Sequence, residues 1–165
     1  MKMNSQEIDA VWKPHVTVAA VVEDKGRFLM VEEETELGRV FNQPAGHLEK
    51  GEELVDAMIR ETLEETAWEV EPESLIAVYR WPHPSLDITY LRFAFAARPL
   101  KHHPDRALDE GIIAAHWLDL DTLRKNRAQH RGPQVWQCID DYLHGEPLPL
   151  SCLKELHYPD SPGNG

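Results

Sequence analysis

Three carboxylates, Glu61, Glu64 and Glu65, stand at i, i+3 and i+4 in the run RETLEETAW, Arg60 to Trp68. In a helix from about Glu52 to Thr66, turning about 100° per residue, the three fall within an arc of roughly 100°. Met58, Thr62, Val55 and Ile59 fill the adjoining apolar face. Like charges at this spacing weaken an isolated helix by about 0.2–0.5 kcal/mol per pair, and Arg60 is the nearest cation in sequence. A divalent cation would relieve the repulsion, because a hard ion such as Mg²⁺ takes carboxylate oxygens and is commonly shared with substrate phosphates. Such an ion neutralises phosphoryl oxygens and acidifies bound water, and a carboxylate within reach of that water can serve as general base. The spacing therefore points to a carboxylate site for a divalent cation. A solvated acidic helix face is the alternative that spacing alone leaves open.

The elements around this helix must position it. His15 to Val22 is apolar on both faces and reads as a buried strand. Glu23 to Gly26 is a turn and Arg27 to Val31 the return strand of a hairpin. The charged stretch Glu32 to Arg39 reads as a loop, and Pro44 confines Val40 to His47 to a short or edge strand. After the helix come a short strand at Trp68 to Val70, a better one at Leu75 to Trp81, and a long one at Ile88 to Ala97. Residues 98–110 read as a connection before a strand at Ile112 to Leu118. Asp119 or Asp121 can cap a short helix reaching about Lys125. Pro133 suits the first turn of a last helix running to about Leu143. The pattern gives an α/β sandwich with a mixed sheet and leaves several α+β topologies open, with residues 1–11 a loose arm and 146–165 a C-terminal extension with a disordered end.

The chain has 165 residues and a net charge of −12. That is one domain's worth of core, and the charge opposes binding to a nucleic-acid backbone. Cys138 and Cys152 are too few for a disulfide framework or a four-ligand zinc site. No apolar run is long enough for a signal peptide or a membrane span, so a cytoplasmic protein without membrane or nucleic-acid partners is expected, as monomer or homodimer.

The run Gly46 to Trp68 resembles the signature of the Nudix hydrolases: Gly46, Glu52 after five residues, then Arg60, Glu61, Glu64 and Glu65 after seven more. The one departure is Ala67, where the family has Gly. The resemblance implies an α/β/α sandwich over residues 12–145, with the acidic helix packed on the mixed sheet. It implies an enzyme cleaving phosphoanhydride bonds with Mg²⁺, or Mn²⁺ in its place. It makes Glu61, Glu64, Glu65 and the Gly46 carbonyl metal ligands and puts Glu61, Glu64 and Arg60 in the catalytic set, with one acid, unassigned, as base. In the family the matching Arg holds a catalytic acid by an ion pair; by spacing alone, Arg60 is equally a surface partner of Glu64 or Asp56. Glu52 reads as a helix-start residue. Ala67 is expected to take the left-handed conformation at a cost of about 1 kcal/mol, or the helix ends differently. Asp109 and Glu110 are candidates for a further acid from a later loop, against the plainer reading of a solvated one.

The stretches KPHVTVAAVVEDKGRFLMVEEE, NQPAGHLE and YLRFAFAA resemble the NudJ group of bacterial phosphatases. That implies release of phosphate from nucleoside di- and triphosphates and from thiamine-related pyrophosphates. Arg92 is the candidate phosphate contact, or else an exposed strand arginine. Trp81, Phe41 and Gln43, with His83, could line a base pocket. His47, like His15, either meets phosphate or satisfies nearby backbone. Two rivals stand beside this reading: a Nudix pyrophosphatase for dinucleoside polyphosphates or nucleotide sugars, and a non-catalytic nucleotide-sensing module.

Overall fold

The computed structural model describes residues 11–36 and 38–156; the expected N-terminal arm, Val11 apart, and the end of the tail lie outside them. The described residues form a seven-stranded mixed sheet and three α-helices. In chain order these are β1 (His15–Asp24), β2 (Arg27–Thr35), β3 (Gly38–Asn42), β4 (Ala45–His47), α1 (Leu54–Thr66), β5 (Trp68–Pro82), β6 (Thr89–His102), β7 (Ile112–Asp119), α2 (Leu120–Lys125) and α3 (Pro133–His144).

The β1 strand is central: it runs parallel to β6 and antiparallel to β2 and β4. Burial on both faces explains its unbroken apolar sequence. Val18, Ala20 and Val22 join Ala57 and Met58 of α1 in one core, with Phe95 and Ala97 from β6. Val21 points the other way, into a second core with Ala94, Ala96, Leu123 of α2, and Val135, Cys138 and Ile139 of α3. Two cores on opposite faces of one sheet make the α/β/α layering.

Several expected boundaries move. The stretch Glu32 to Arg39 is not a loop: β2 continues to Thr35 and pairs with β3 from Gly38 to Asn42. Its charged run is tolerated because side chains alternate. Glu33 points inward and is bound by Asn42 Nδ2 (3.1 Å) and Arg131, while Glu32 meets His116 and Arg39. Pro44 divides the segment after it into β3 and the short β4. The two strands expected at Trp68–Val70 and Leu75–Trp81 are one edge strand, β5, with register shifts at Glu69/Val70, Pro72/Ser74 and Leu75/Ala77. Such bulges let a Pro sit in a paired strand. Its partner β6 takes in residues expected to belong to the connection, ending with His102 opposite Trp68. Asp119, not Asp121, caps α2, accepting from Thr122 N at 2.7 Å.

Candidate active site

Helix α1 begins at Leu54, two residues later than its sequence suggests, so Glu52 precedes it and the helical wheel does not govern its direction. The Glu52 carboxylate reaches Arg60 and takes both arms of the guanidinium, Oε1 from Nε at 2.7 Å and Oε2 from Nη2 at 2.9 Å. Arg60 Nη1 donates to Glu61 Oε1 at 2.8 Å and to Glu64 Oε2 at 2.9 Å, and Nη2 to the His47 carbonyl at 3.2 Å. Asp56 is not among its partners. One arginine thus ties three carboxylates to the backbone of β4, and the repulsion expected along the helix is met inside the protein. The fork geometry gives paired charge-assisted bonds that an ammonium cannot reproduce. The hydrogen bond from Arg60 holds the Glu52 carboxyl below the usual range, and Glu52 in turn raises Arg60.

Gly46 explains how close Glu61 comes. It is paired with Val18, on the sheet face toward α1. A Cβ built on Gly46 would lie 2.0–2.2 Å from the carboxyl atoms of Glu61. The residue is Gly because that space holds a carboxylate, not because its φ demands one; the positive-φ glycines are elsewhere. Burial raises the Glu61 carboxyl above its usual range, with Glu64 and Asp109 adding to the effect and Arg60 opposing it. Glu65 is deeper. Its Oε2 accepts from Ala45 N at 2.8 Å, and burial, with Glu61 and Asp109 nearby, pushes its carboxyl up to about 8.

The later loop does approach this cluster: Asp109 N donates to the Glu64 carbonyl at 3.1 Å, and the Asp109 charge is felt by Glu61 and Glu65. The helix ends at Ala67, left-handed at φ 58° and ψ 20°, its N–H bonded to Leu63 O. Ala therefore adopts the conformation normally given to Gly.

Beside the acids, on the α3 side of the sheet, opens a cavity of about 730 Å³. Strand register sets its floor. His47, Thr17, Arg92 and Tyr79 stand in one row across β4, β1, β6 and β5. In the next row Tyr90 lies opposite Trp81, their rings stacked at 5.6 Å and 21°. His15, His47 and Tyr90 form a triangle of rings 5.8–6.5 Å apart. Gly46, His47 and Glu65 border the same cavity, so the acidic cluster and the cavity are continuous.

Of the residues expected to meet a substrate, Trp81, His83, His47 and Arg92 line this cavity; Gln43, Phe41 and His15 do not. Arg92 is not an exposed strand residue. It is 7 % exposed, and its Nη2 is held by Gln43 Oε1 (3.0 Å) and Asn42 Oδ1 (3.4 Å). Gln43 lies behind it, 1 % exposed, donating to Val135 O at 2.7 Å. The Phe41 ring turns to His116, because Val40 and Asn42 take the cavity face of β3. Sequence reading did not single out Thr17, Asn42, Glu33, Arg131 or Gln134. Only the polar character of residues flanking apolar runs hinted at them, and their contacts join residues up to 98 positions apart.

Among the described residues, no three His, Cys, Asp or Glu side chains close around one point as a complete ligand set. A complete set is not what a hard cation needs, since Mg²⁺ keeps several waters and takes one or two protein carboxylates with substrate oxygens. The residues fit such an ion on two counts. Glu61, Glu64 and Glu65 are hard oxygen donors, two of them destabilised as anions by burial. Gly46 also leaves its backbone open beside Glu61.

The NUDIX domain family model matches residues 13–137, and the chain belongs to the Nudix hydrolase family, enzymes of phosphoanhydride bonds. It is 36 % identical over 153 residues to a protein of Escherichia coli strain K12 named phosphatase NudJ, covering 93 % of this chain and 99 % of that one. A solved Nudix hydrolase from Nitrosomonas europaea superposes with a TM-score of 0.85 at 46 % identity, covering 87 % of this chain and 98 % of that chain. A bifunctional NMN adenylyltransferase/ADP-ribose pyrophosphatase from Francisella tularensis, solved with AMP and a Mn ion, matches with a TM-score of 0.66 at 24 % identity. It covers 82 % of this chain and 43 % of that one, and at this identity the likeness speaks to the fold. No described helix is long and apolar enough to cross a membrane.

Proposed function

We propose that this Nudix hydrolase is a cytoplasmic, Mg²⁺-dependent phosphatase of nucleoside di- and triphosphates, with Mn²⁺ able to replace Mg²⁺ and thiamine-related pyrophosphates as further substrates. The observation that carries the reading is the continuity of the acidic cluster around Gly46 with a cavity large enough for a nucleotide, within the usual 300–1,000 Å³ of ligand pockets. Similarity to phosphatase NudJ over nearly the whole chain supports the substrate class.

In this proposal Glu61, Glu64, Glu65 and the Gly46 carbonyl hold the cation, and Glu61, Glu64 and Arg60 form the catalytic set. When bound, the ion neutralises phosphoryl oxygens and acidifies a water. Glu61 or Glu64 would be the carboxylate placed to accept a proton from an attacking water. Arg60 fixes both carboxylates against β4, so neither has to be ordered during the reaction. Asp109, at the cluster's rim, adds negative charge that strengthens cation binding. His47, Trp81 and Arg92 contact the substrate in the cavity; Gln43 holds Arg92, and Phe41 backs the strand from the other side.

The test is a panel of nucleoside di- and triphosphates, a dinucleoside polyphosphate, a nucleotide sugar and thiamine diphosphate, with phosphate and pyrophosphate measured separately, with and without Mg²⁺. Orthophosphate release that requires Mg²⁺ and falls at least 100-fold in Glu64→Gln and Glu65→Gln is expected. Nucleoside monophosphate as the first product from the dinucleoside polyphosphate or nucleotide sugar, with no phosphate from nucleoside diphosphates, would overturn the phosphatase reading.

A further inference from the structure

Arg92 is a buried charge held by neutral groups. It borders the cavity at 7 % exposure, and its Nη2 donates to Gln43 Oε1 at 3.0 Å and to Asn42 Oδ1 at 3.4 Å. A further neighbour is the Cys138 thiol, which burial pushes up and so keeps protonated. Among the described residues no carboxylate forms an ion pair with Arg92, although a buried charge is costly unless it is paired. A carboxylate stands only one side chain away. Glu33, 5 % exposed, accepts from Asn42 Nδ2 at 3.1 Å and binds Arg131, whose side chain is 52 % exposed. The buried acid thus serves the more exposed of the two arginines, and an amide separates it from the buried one.

Residue types enforce this arrangement. A guanidinium only donates, whereas a carboxylate or backbone carbonyl only accepts. An amide can stand between them with both ends satisfied, and its orientation is then fixed. Asn42 stands in this way between Glu33 and Arg92. Gln43 does so between Arg92 and α3, its Nε2 donating to Val135 O at 2.7 Å. The two amides are 4 % and 1 % exposed, so little water screens the guanidinium they hold. In such a low-dielectric wall an uncompensated charge acts strongly on whatever enters the cavity. Glu33, Glu34, Glu36, Glu65 and Glu110 border the same cavity, so an entering anion meets repulsion that Arg92 offsets.

Resting on the phosphoanhydride-substrate reading above, we propose that Asn42 and Glu33 are positioning residues: Asn42 insulates Arg92 from Glu33 and so reserves the Arg92 charge for the anionic group of the substrate. Arg131 secures Glu33 on its far side. Both residues act through Arg92 and take no part in cleavage.

Exchanging the two groups tests this. In the double variant Glu33→Gln, Asn42→Asp, the new amide at position 33 can accept from Arg131 and donate to the new carboxylate at 42, which accepts from Arg92. The number of hydrogen bonds and the net charge are kept, and the negative charge moves from Arg131 to Arg92. Calorimetric titration of the full chain with methylenediphosphonate, an uncleavable pyrophosphate, in Mg²⁺ reads binding without turnover. A failure of the phosphatase reading in the hydrolysis panel therefore remains a separate result. The exchange should weaken binding at least tenfold, whereas Glu33→Gln alone, which leaves Asn42 neutral, should bind within twofold of wild type. On the best substrate of the panel the exchange should raise KM at least fivefold and change kcat less than threefold. Should the double variant not fold, the backbone-assigned guanidinium resonances of Arg92 in the wild-type protein should still shift on saturation with methylenediphosphonate. Wild-type affinity in the exchange variant, an equal loss in Glu33→Gln alone, no binding by the wild-type protein, or unmoved Arg92 resonances would each overturn the assignment.

Discussion

Replacing Gly46 by Ala should separate the stability of this protein from its activity. The added Cβ would stand 2.0–2.2 Å from the Glu61 carboxyl atoms. Normal carbon contacts begin near 3.5 Å, so the carboxyl has to retreat by roughly 1.5 Å. It is the end of a flexible side chain, and it can move without shifting the backbone. Gly46 has no positive φ to strain an Ala, and removing a strand glycine stabilises by about 0.5–1 kcal/mol. Against this stands the loss of the Glu61–Arg60 hydrogen bond at 2.8 Å, about 1 kcal/mol for a partly exposed pair. The net change in stability is therefore within about 1 kcal/mol, or 2–4 °C in Tm for a chain of this size. Catalysis is less forgiving, since misplacing a reacting group by about 1 Å can cost 100-fold. Phosphate release by Gly46→Ala should accordingly fall about 100-fold in kcat/KM, with a thermal unfolding curve close to wild type. The double variant Gly46→Ala, Glu61→Gln should be little worse than either single one, because both remove the same carboxylate. Wild-type kcat/KM within threefold in Gly46→Ala would refute the claim that this seat for Glu61 matters to the reaction, and a collapse of Tm by more than 10 °C would refute the claim that it is not a folding requirement.

Four further outcomes are expected. Arg60→Lys keeps the charge but loses the fork to Glu52 and the bridge between Glu61 and Glu64, so kcat/KM should drop about tenfold and Tm by a few degrees, roughly 1–2 kcal/mol; steady-state kinetics beside calorimetric melting checks this. Burial pushes the folded Glu65 carboxyl up to about 8 from its usual 4.5, so the raised carboxyl favours the metal-free fold fully only below 4.5. That contribution is lost as pH rises through 8. A cation requires the ionised form, so Mg²⁺ binding at pH 7 should release close to one proton, measured by titration calorimetry in buffers of different ionisation enthalpy, and the release should vanish in Glu65→Gln. Glu33→Gln removes the charge that Arg131 and Asn42 share; because the Arg131 side chain is 52 % exposed, the cost should be nearer 1–2 kcal/mol than the 3–5 of a fully buried pair, read from urea unfolding. Ala67→Gly should be nearly neutral: it relieves about 1–2 kcal/mol of left-handed strain, but raises the entropy of the unfolded chain by about 0.4–1 kcal/mol and uncovers a buried methyl worth about 0.8 kcal/mol, so a Tm change above about 4 °C would contradict the balance.

That balance bears on why so much of the acidic cluster's geometry was legible in the sequence. The acids, Arg60 and Gly46 lie within 20 residues, on one helix and the strand before it, where periodicity and motif spacing carry most of the geometry. The two-faced apolar run of β1 likewise foretold a strand buried between helical layers, and both cores bear that out. The Ala at the family's Gly position, the one mismatch in the motif, proves to hold the same backbone conformation.

What the sequence could not show has one physical cause: long side chains and distant partners decide direction where periodicity does not. A helical wheel places Arg60 about 100° from Glu61, yet the Arg60 side chain curls back to join Glu61, Glu64 and the non-helical Glu52. The run Glu32 to Glu34 looked like a loop because its charges suggested solvent, whereas Arg131, 98 residues on, turns Glu33 into a buried strand residue. Arg92 shows the same effect most sharply. Alternation set it on the right face of β6, but only α3, packed over that face from the far end of the chain, brings Gln134 to the cavity and excludes solvent from the guanidinium. The acids that define the family are thus local and readable, while the groups that would distinguish one substrate from another are assembled by tertiary contact. Changes in α3 should therefore shift relative kcat/KM across a nucleotide panel, whereas substitutions at Glu61 or Glu64 should lower every substrate alike.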